Sequence, residues 1–235
     1  LSHAFGAAFD NPDLIVSCVV GDGEAETGPL AAAWHSNKFL NPITDGAVLP
    51  ILHLNGYKIS GPTIFGRMSN RELKSLFYGY GYEPVIVEGT DKVIYERMMN
   101  VLEDSYQKIR AIQTKARNGQ AVVSPRFPMI ILRTPKGWTG IKKLKGEKIE
   151  GNALSHQVVA PLAKTDKTEL KALEKWLRSY KFEELFNAGN GFNDEVKSLV
   201  PEEGFKMGSS RHTLGGEIMK NLLLPKVQEF MEDAS

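Results

Sequence analysis

Short runs of apolar and β-branched residues alternate along this chain with turn residues and helical stretches. Four runs predict strands, at residues 14–20, 48–54, 84–88 and 129–132, and two stretches predict helices, at residues 30–37 and 94–112. Apolar strands that are separated by helices form a parallel sheet covered on both faces. We therefore expect an α/β chain with a three-layer αβα architecture and a mainly parallel sheet. Pro50 predicts that the first residues of the second strand are irregular or lie on an edge.

Charge and composition exclude several functional classes. Lys and Arg number 29 and Asp and Glu number 28, so a net charge of +1 argues against nucleic acid or an anionic membrane as partner. The single cysteine, Cys18, cannot form an internal disulfide, and we expect it to be buried and inert. No apolar run approaches the ~18 residues that cross a bilayer, and residues 1–5 lack a secretory signal. We expect a cytoplasmic protein, and Leu1 suggests a piece of a longer polypeptide.

The pattern changes beyond residue 140, where residues 141–148 are rich in lysine and predict an exposed loop that could act as a mobile lid. Asp166 and Glu169 have the spacing of a capping box at the start of a helix. Three leucines are expected to form the buried face of this helix: Leu170, Leu173 and Leu177. Two further helices are predicted at residues 182–186 and 218–231, the second divided by Pro225. We assign residues 1–162 to a domain core and residues 163–235 to a mainly helical extension that leads into a linker.

Three of the predicted strands end in polar or glycine-rich turns, at residues 21–23, 55–57 and 135–137. Ligands of parallel sheets bind beyond the carboxyl ends of the strands, where glycines let the backbone approach a phosphate closely. The carboxylate of Asp22 would repel a phosphate unless a divalent cation lay between them. Asn55 could supply a second oxygen ligand and the carbonyl of Tyr57 a third, since a right-handed crossover would bring both strand ends to one edge.

Each of these residues also has a structural interpretation. Glycine and aspartate are common turn formers, so residues 21–23 alone would more often be an ordinary turn than a metal site. Considered singly, a lysine in a turn is usually solvated and a histidine is usually structural. For the remaining histidines we expect packing or a dimer contact at His35 and structural roles at His53 and His212.

Five segments together resemble the phosphoketolases, a family of thiamine-diphosphate enzymes. These segments are residues 2–7, 21–29, 33–42, 53–63 and 133–140. The resemblance spans residues 1–162 and continues more loosely to residues 207–216. It implies a transketolase-like, thiamine-diphosphate-binding fold, with thiamine diphosphate and Mg²⁺ as cofactors and a homodimer as the assembly. It also implies cleavage of xylulose 5-phosphate, and often fructose 6-phosphate, with inorganic phosphate to acetyl phosphate and a shortened aldose phosphate.

The resemblance assigns roles to individual residues. Asp22 and Asn55 would be side-chain ligands of Mg²⁺, and the carbonyl of Tyr57 would complete the protein's share. Cofactor contacts are expected from Gly21, Asp22, Gly23, Glu24, Asn55, Tyr57, Ile59, Lys136 and His156. Lys136 and His156 match residues that the family places around the reacting end of the cofactor. A cationic lysine suits a phosphate or a developing oxyanion, and a histidine can carry protons near neutral pH.

The glutamate that activates the cofactor in this superfamily comes from a separate pyrimidine-binding domain, which the sequence does not contain. We therefore expect the isolated chain to be inactive and that domain of the same enzyme to be its partner. Two alternatives remain: a non-catalytic regulatory or interaction domain that keeps the fold, or another thiamine-diphosphate enzyme such as a transketolase. A phosphatase of the haloacid dehalogenase type would need an Asp-x-Asp motif, which the sequence lacks.

Overall fold

The computed structural model describes residues 1–189, 191–209 and 226. The chain divides into two compact units, Leu1–Lys181 and Phe182–Ser235. The first unit carries the sheet and also the helix at residues 167–178. The sequence-based division after residue 162 stays a prediction. Of the elements predicted beyond residue 181, a short 3₁₀-helix forms at Phe182–Leu185. The helix predicted at residues 218–231 and the role predicted for His212 lie outside the described residues, Lys226 apart.

Four strands form one sheet in the first unit, in the order β1-β2-β4-β3. They are β1 (Ile15–Gly21), β2 (Ala47–Leu54), β3 (Tyr82–Glu88) and β4 (Phe127–Arg133). All three pairings are parallel, and each strand overlaps a run predicted from the sequence. The parallel α/β fold expected from the alternating pattern is therefore confirmed.

Helices flank this sheet. In chain order they are α1 (Ser2–Ala8), α2 (Asp22–Ala25), α3 (Gly28–Ala33), α4 (Ile64–Arg67), α5 (Asn70–Gly79), α6 (Val93–Arg117) and α7 (Lys167–Arg178). The helix predicted at residues 94–112 is confirmed, and α6 extends it to Arg117, stopping before Asn118 and Gly119, whose φ is +74°. In the predicted helix at residues 30–37, only the first part is α-helical, and a 3₁₀-helix follows at Trp34–Phe39.

The hydrophobic core is centred on the two inner strands of the sheet, β2 and β4. Leu52, Ile130 and Ile131 have no exposed surface and lie on the two inner strands. The edge alternative predicted from Pro50 holds for the first residues of β2, because residues 47–50 pair with β1 but not with β4, although β2 as a whole is an inner strand. Its pairing with β4 begins only at Ile51, so the missing N–H of the proline falls before that ladder. Cys18 lies on the outer strand β1 and is therefore partly rather than fully buried.

A buried aromatic cluster holds the chain between β1 and β2 against the rest of the domain. The indole N–H of Trp34 donates to the carbonyl of Ala25 at 3.0 Å. The hydroxyl of Tyr82 donates to the carbonyl of Trp34, also at 3.0 Å. The rings of Trp34 and Phe77 meet edge to face with centroids 4.9 Å apart. These contacts fix the crossover that brings α2 to the carboxyl edge of the sheet.

The segment from residue 141 to α7 differs from the sequence-based prediction. Instead of a loop throughout, it forms a short hairpin of β5 (Lys143–Leu144) and β6 (Glu147–Lys148), and a 3₁₀-helix at Ala153–His156 follows. Asp166 does cap α7, accepting from the N–H groups of Thr168 and Glu169. The leucine face is not buried as expected, because Leu170 is 50% and Leu177 is 43% exposed and Leu173 is partly buried.

Glu169, rather than a leucine, is the buried residue of α7. Its carboxylate accepts from the N–H of Leu162 at 2.8 Å and lies 2.8 Å from Nζ of Lys145. Lys145 also reaches Asp166, at 2.6 Å, so one lysine ties the hairpin to the start of the helix. The hydrogen bond from Lys145, followed by those from the backbone of residues 168 and 169, lowers the pKa of Asp166 from 3.8 to about 2.

Replacement of this lysine, Lys145→Met, is expected to destabilise the protein at pH 7 and to have a smaller effect at pH 3. A carboxyl whose pKa is lowered by folding stabilises the folded state above its unfolded pKa and loses that contribution as the pH falls toward about 2. Urea denaturation at both pH values measures the difference, with the exposed Lys164→Met as control. An effect of Lys145→Met that is equal at the two pH values would contradict this account.

Candidate functional site

One cavity of about 460 Å³ opens beyond the carboxyl ends of β1 and β2. It is lined by Asp22, Gly23, Glu24, Thr27, Asn55, Tyr57, Lys58, Ile59, Lys136 and His156. Eight of the nine cofactor residues predicted from the sequence are in this set. The ninth, Gly21, is the last residue of β1 and directly precedes α2, and a Cβ there would contact the carboxylate of Glu24.

Asp22 is buried at the end of β1, with 1% of the residue exposed. Its Oδ2 accepts hydrogen bonds from the N–H of Gly56 at 2.7 Å and from the hydroxyl of Thr63 at 2.8 Å. Its Oδ1 accepts from the N–H of Gly23 at 3.1 Å, and no other donor reaches this oxygen within the described part of the chain. A buried carboxylate needs partners of this kind, and here Oδ1, on a residue that lines the cavity, retains acceptor capacity.

Asn55 and Tyr57 reach the same cavity from the turn after β2. Parallel pairing sets Gly21 opposite His53, so the residues that follow the two strands meet at one edge, as the sequence predicts. Oδ1 of Asn55 accepts from the N–H of Tyr57 at 3.1 Å. The carbonyl oxygen of Tyr57 accepts from Nζ of Lys136 at 3.0 Å. The ammonium group of Lys136 thus contacts the carbonyl that is predicted to be a metal ligand.

These three residues offer a carboxylate, an amide oxygen and a backbone carbonyl. Mg²⁺ prefers oxygen ligands and is usually held by one or two carboxylates together with waters and substrate phosphates. Zinc would call for nitrogen and sulfur ligands, and the described residues contain no cluster of three or more His, Cys, Asp or Glu side chains that could hold a metal ion. The donor set therefore fits the predicted Mg²⁺.

Positive charge in the cavity comes in part from Lys58, which the sequence analysis missed. Nζ of Lys58 lies 2.8 Å from Oε1 of Glu26, whose side chain is 2% exposed. The other oxygen of Glu26 accepts from the N–H of Phe65 at 3.0 Å. A Cβ on Gly23 would lie 3.3 Å from Cγ of Lys58, so the glycine leaves room for the lysine side chain to pack beside it. Its position beside Tyr57 in the same turn is the signal that could have identified it.

Thr27 is the second lining residue that the sequence analysis missed. Its hydroxyl donates to the carbonyl of Gly23 at 3.1 Å, one helical turn back along the chain. This bond gives Thr27 a local structural role at the end of α2, and its place in the cavity follows from that turn.

Lys136 and His156 are brought together by the turn after β4. The N–H of Gly151 donates to the carbonyl of Lys136 at 2.7 Å. Gly137 has φ of +73° and lies so close to Ser155 that an added Cβ would be 2.5 Å from the Cβ of that serine. The 3₁₀-helix that ends at the exposed His156 is thereby held against the strand end that carries Lys136.

Gly137→Ala is expected to lower the free energy of unfolding by about 1–2 kcal/mol, because the left-handed backbone disfavours a side chain. The new Cβ would also push Ser155, and with it His156, away from the cavity. Calorimetric titration with thiamine diphosphate and Mg²⁺ should then show weaker binding than in the wild type. Gly61→Ala is the matched control, since Gly61 faces open space and has no positive φ. Equal cofactor affinity in Gly137→Ala and wild type would contradict this role of the contact.

The other histidines are placed by packing contacts. Nε2 of His53 lies 3.1 Å from the hydroxyl of Thr134, between neighbouring strands, which supports the structural role expected for it. The ring of His35 packs edge to face on Tyr80 with centroids 4.9 Å apart. His3 is exposed on α1. The helices of the described residues include none with the length and apolar character that spanning a membrane requires.

Comparison with known proteins places this chain in a family. The family model described as the XFP N-terminal domain matches residues 1–218. Three curated relatives carry the name "probable phosphoketolase". The chain is 54% identical to the protein of Bradyrhizobium diazoefficiens over 98% of its own length and 29% of that relative. It is 56% identical to that of Nitrosomonas europaea over 98% of the chain and 29% of the relative, and 52% identical to that of Gloeobacter violaceus over 100% and 30%.

The chain thus spans about three tenths of the length of the curated relatives it matches. The family match includes the whole sheet and every residue that lines the cavity. The sequence identity to the three relatives is similar, between 52% and 56%. The resemblance noted from the five sequence segments is confirmed. The chain belongs to the phosphoketolase family, as part of its XFP N-terminal domain.

Proposed function

We propose that this chain is the diphosphate- and magnesium-binding part of a thiamine-diphosphate-dependent phosphoketolase. The full-length enzyme cleaves xylulose 5-phosphate, and fructose 6-phosphate as a second substrate, with inorganic phosphate. The products are acetyl phosphate and a shortened aldose phosphate, which makes the protein an aldehyde-lyase of pentose phosphate metabolism. The observation that supports this proposal most is the single cavity in which eight predicted cofactor residues converge.

The residues of the cavity have distinct roles in this proposal. Thiamine diphosphate, when bound, would supply the nucleophilic carbon that is needed for cleavage of the carbon–carbon bond of the ketose. Asp22 and Asn55 hold Mg²⁺ through side-chain oxygens and Tyr57 through its carbonyl. Lys136 supplies a positive charge for a phosphate or a developing oxyanion. His156 is exposed at the cavity and acts as the proton carrier of the reaction.

The test is product formation by the full-length protein. With xylulose 5-phosphate, inorganic phosphate, thiamine diphosphate and Mg²⁺, acetyl phosphate should accumulate and should be absent when either phosphate or thiamine diphosphate is omitted. Trapping with hydroxylamine measures it as the hydroxamate. Ketol transfer to an added aldose phosphate without acetyl phosphate would favour a transketolase. Absence of both reactions, together with no cofactor binding, would favour a regulatory or interaction domain.

The proposed protein partners are those that would cover the open side of the cavity. The described residues leave the cavity open to solvent at Ile59 and His156, which are exposed. In the proposal the pyrimidine-binding domain of the same enzyme covers this side, and the cofactor lies between the subunits of a cytoplasmic homodimer. The isolated chain is accordingly expected to form no acetyl phosphate, whereas the full-length protein should form it under the same conditions.

A further inference from the structure

Thr63 lies behind Asp22 and has no exposed surface. Its hydroxyl donates to Oδ2 of Asp22 at 2.8 Å, and its oxygen accepts from the N–H of Gly66 at 3.0 Å. Because the oxygen of the hydroxyl receives the Gly66 N–H, its proton is free to point at the carboxylate. The direction of this hydrogen bond is therefore fixed by the first turn of α4, where Thr63 is the N-cap.

A second donor acts on the same carboxylate oxygen. The N–H of Gly56 donates to Oδ2 of Asp22 at 2.7 Å, directly after Asn55 in the chain. Gly66 packs on Gly56 so closely that a Cβ at position 66 would be 2.7 Å from Cα of Gly56 and 2.9 Å from the hydroxyl oxygen of Thr63. Oδ2 is thus saturated from within the protein, and the loop that carries Asn55 is tied to Asp22 through it.

The two oxygens of Asp22 consequently have different surroundings. Oδ2 faces two protein donors, whereas Oδ1 has the single bond from the adjacent Gly23 N–H among the described residues. Buried hydrogen bonds of this kind orient a metal ligand and select the oxygen that it presents. Because Thr63 and Gly56 occupy Oδ2, the oxygen of this cavity-lining residue that keeps acceptor capacity is Oδ1.

We propose that Thr63 is a positioning residue for the divalent cation, because it sets the orientation of the Asp22 carboxylate and locks it to the loop of residues 55–57. This inference rests on the proposed function, which places Mg²⁺ at Asp22. Thr63 touches neither metal nor substrate in this account. It acts by holding the carboxylate, the Asn55 amide and the Tyr57 carbonyl in one arrangement before the cation arrives.

Mn²⁺ is the probe, because it can replace Mg²⁺ at oxygen ligands and its free form is counted by electron paramagnetic resonance. In the full-length protein with thiamine diphosphate, Thr63→Val should raise the dissociation constant for Mn²⁺ by about tenfold or more. Thr63→Ser keeps the hydroxyl and should stay within about twofold of wild type, which a role in packing alone would not produce. Thr44→Val is the matched control, since it removes a threonine–aspartate hydrogen bond, to Asp45, outside the cavity lining.

The outcomes separate the inference from the proposed function. Asp22→Asn should abolish specific Mn²⁺ binding, and if it binds Mn²⁺ as wild type does, the metal site itself is wrong. If Asp22→Asn loses the metal while Thr63→Val binds it with wild-type affinity, the inference about Thr63 is wrong and the metal site stands. Should Thr63→Val fail to fold, the pair Thr63→Ala and Thr63→Ser takes its place. Equal Mn²⁺ affinity in that pair would likewise overturn the role of the hydroxyl.

Discussion

Asp22→Asn in the full-length protein is expected to abolish acetyl phosphate formation, with a loss of at least about three orders of magnitude in kcat/KM. The substitution keeps the size of the side chain but removes the negative charge that the proposed Mg²⁺ requires. Without the cation, the anionic diphosphate would share the cavity with the carboxylate of Glu24 and would lack the neutralising charge of Mg²⁺. The measurement is the rate of hydroxamate formation over a range of Mg²⁺ and thiamine diphosphate concentrations.

The control for this experiment is Asp13→Asn, because the side chain of Asp13 is 98% exposed and lies outside the cavity lining. That variant should behave as wild type. Thermal unfolding of both proteins without metal separates loss of the site from loss of the fold. Turnover by Asp22→Asn within tenfold of wild type at ordinary Mg²⁺ concentrations would contradict the assignment of this carboxylate as a metal ligand.

His156→Ala is expected to lower turnover by about two to four orders of magnitude, the range usual for removal of a positioned acid or base. Because His156 lies at the exposed mouth of the cavity, the substitution should leave the free energy of unfolding nearly unchanged. The effect should therefore appear in kcat and not in the stability of the protein. Steady-state kinetics with xylulose 5-phosphate and phosphate, measured beside urea denaturation, tests both halves of this expectation.

His3→Ala serves as the matched control, since His3 is also exposed but lies on α1 and does not line the cavity. Activity close to wild type is expected for it. A rate of acetyl phosphate formation by His156→Ala that is close to wild type would remove His156 from the catalytic assignment. The metal ligands would be unaffected by that result, because His156 contributes none of their oxygen atoms.

The alternating pattern was sufficient to predict the sheet, because each strand contains a short apolar run and the two inner strands, β2 and β4, are buried along most of their length. The site followed from one rule of parallel sheets, since Asp22 and Asn55 end neighbouring strands and must meet at one edge. The roles of Lys136 and His156 depended on the family resemblance. Neither residue type carries enough information in isolation to distinguish a site from a solvated surface.

Other features depended on tertiary contacts that no local pattern reveals. Glu169 is buried with its carboxylate satisfied by Lys145 and the N–H of Leu162, whereas Leu170 and Leu177 of the same helix are exposed. Thr63 lies eight residues beyond Asn55 and reaches Asp22 only after the loop folds back. Pro50 predicted irregular or edge residues at the start of β2, but the sequence could not show that β4 pairs with this strand only from Ile51 onward.

The proposed function depends most on one arrangement, in which Asp22, Asn55 and Tyr57 together hold the divalent cation of a thiamine-diphosphate enzyme. The most direct test is a crystal structure of the full-length protein grown with thiamine diphosphate and Mn²⁺, with the metal located by its anomalous scattering. We expect one peak about 2 Å from Oδ1 of Asp22, Oδ1 of Asn55 and the carbonyl oxygen of Tyr57, with diphosphate oxygens completing the coordination. A peak bound elsewhere, or cofactor bound with no metal at these three oxygens, would contradict this arrangement.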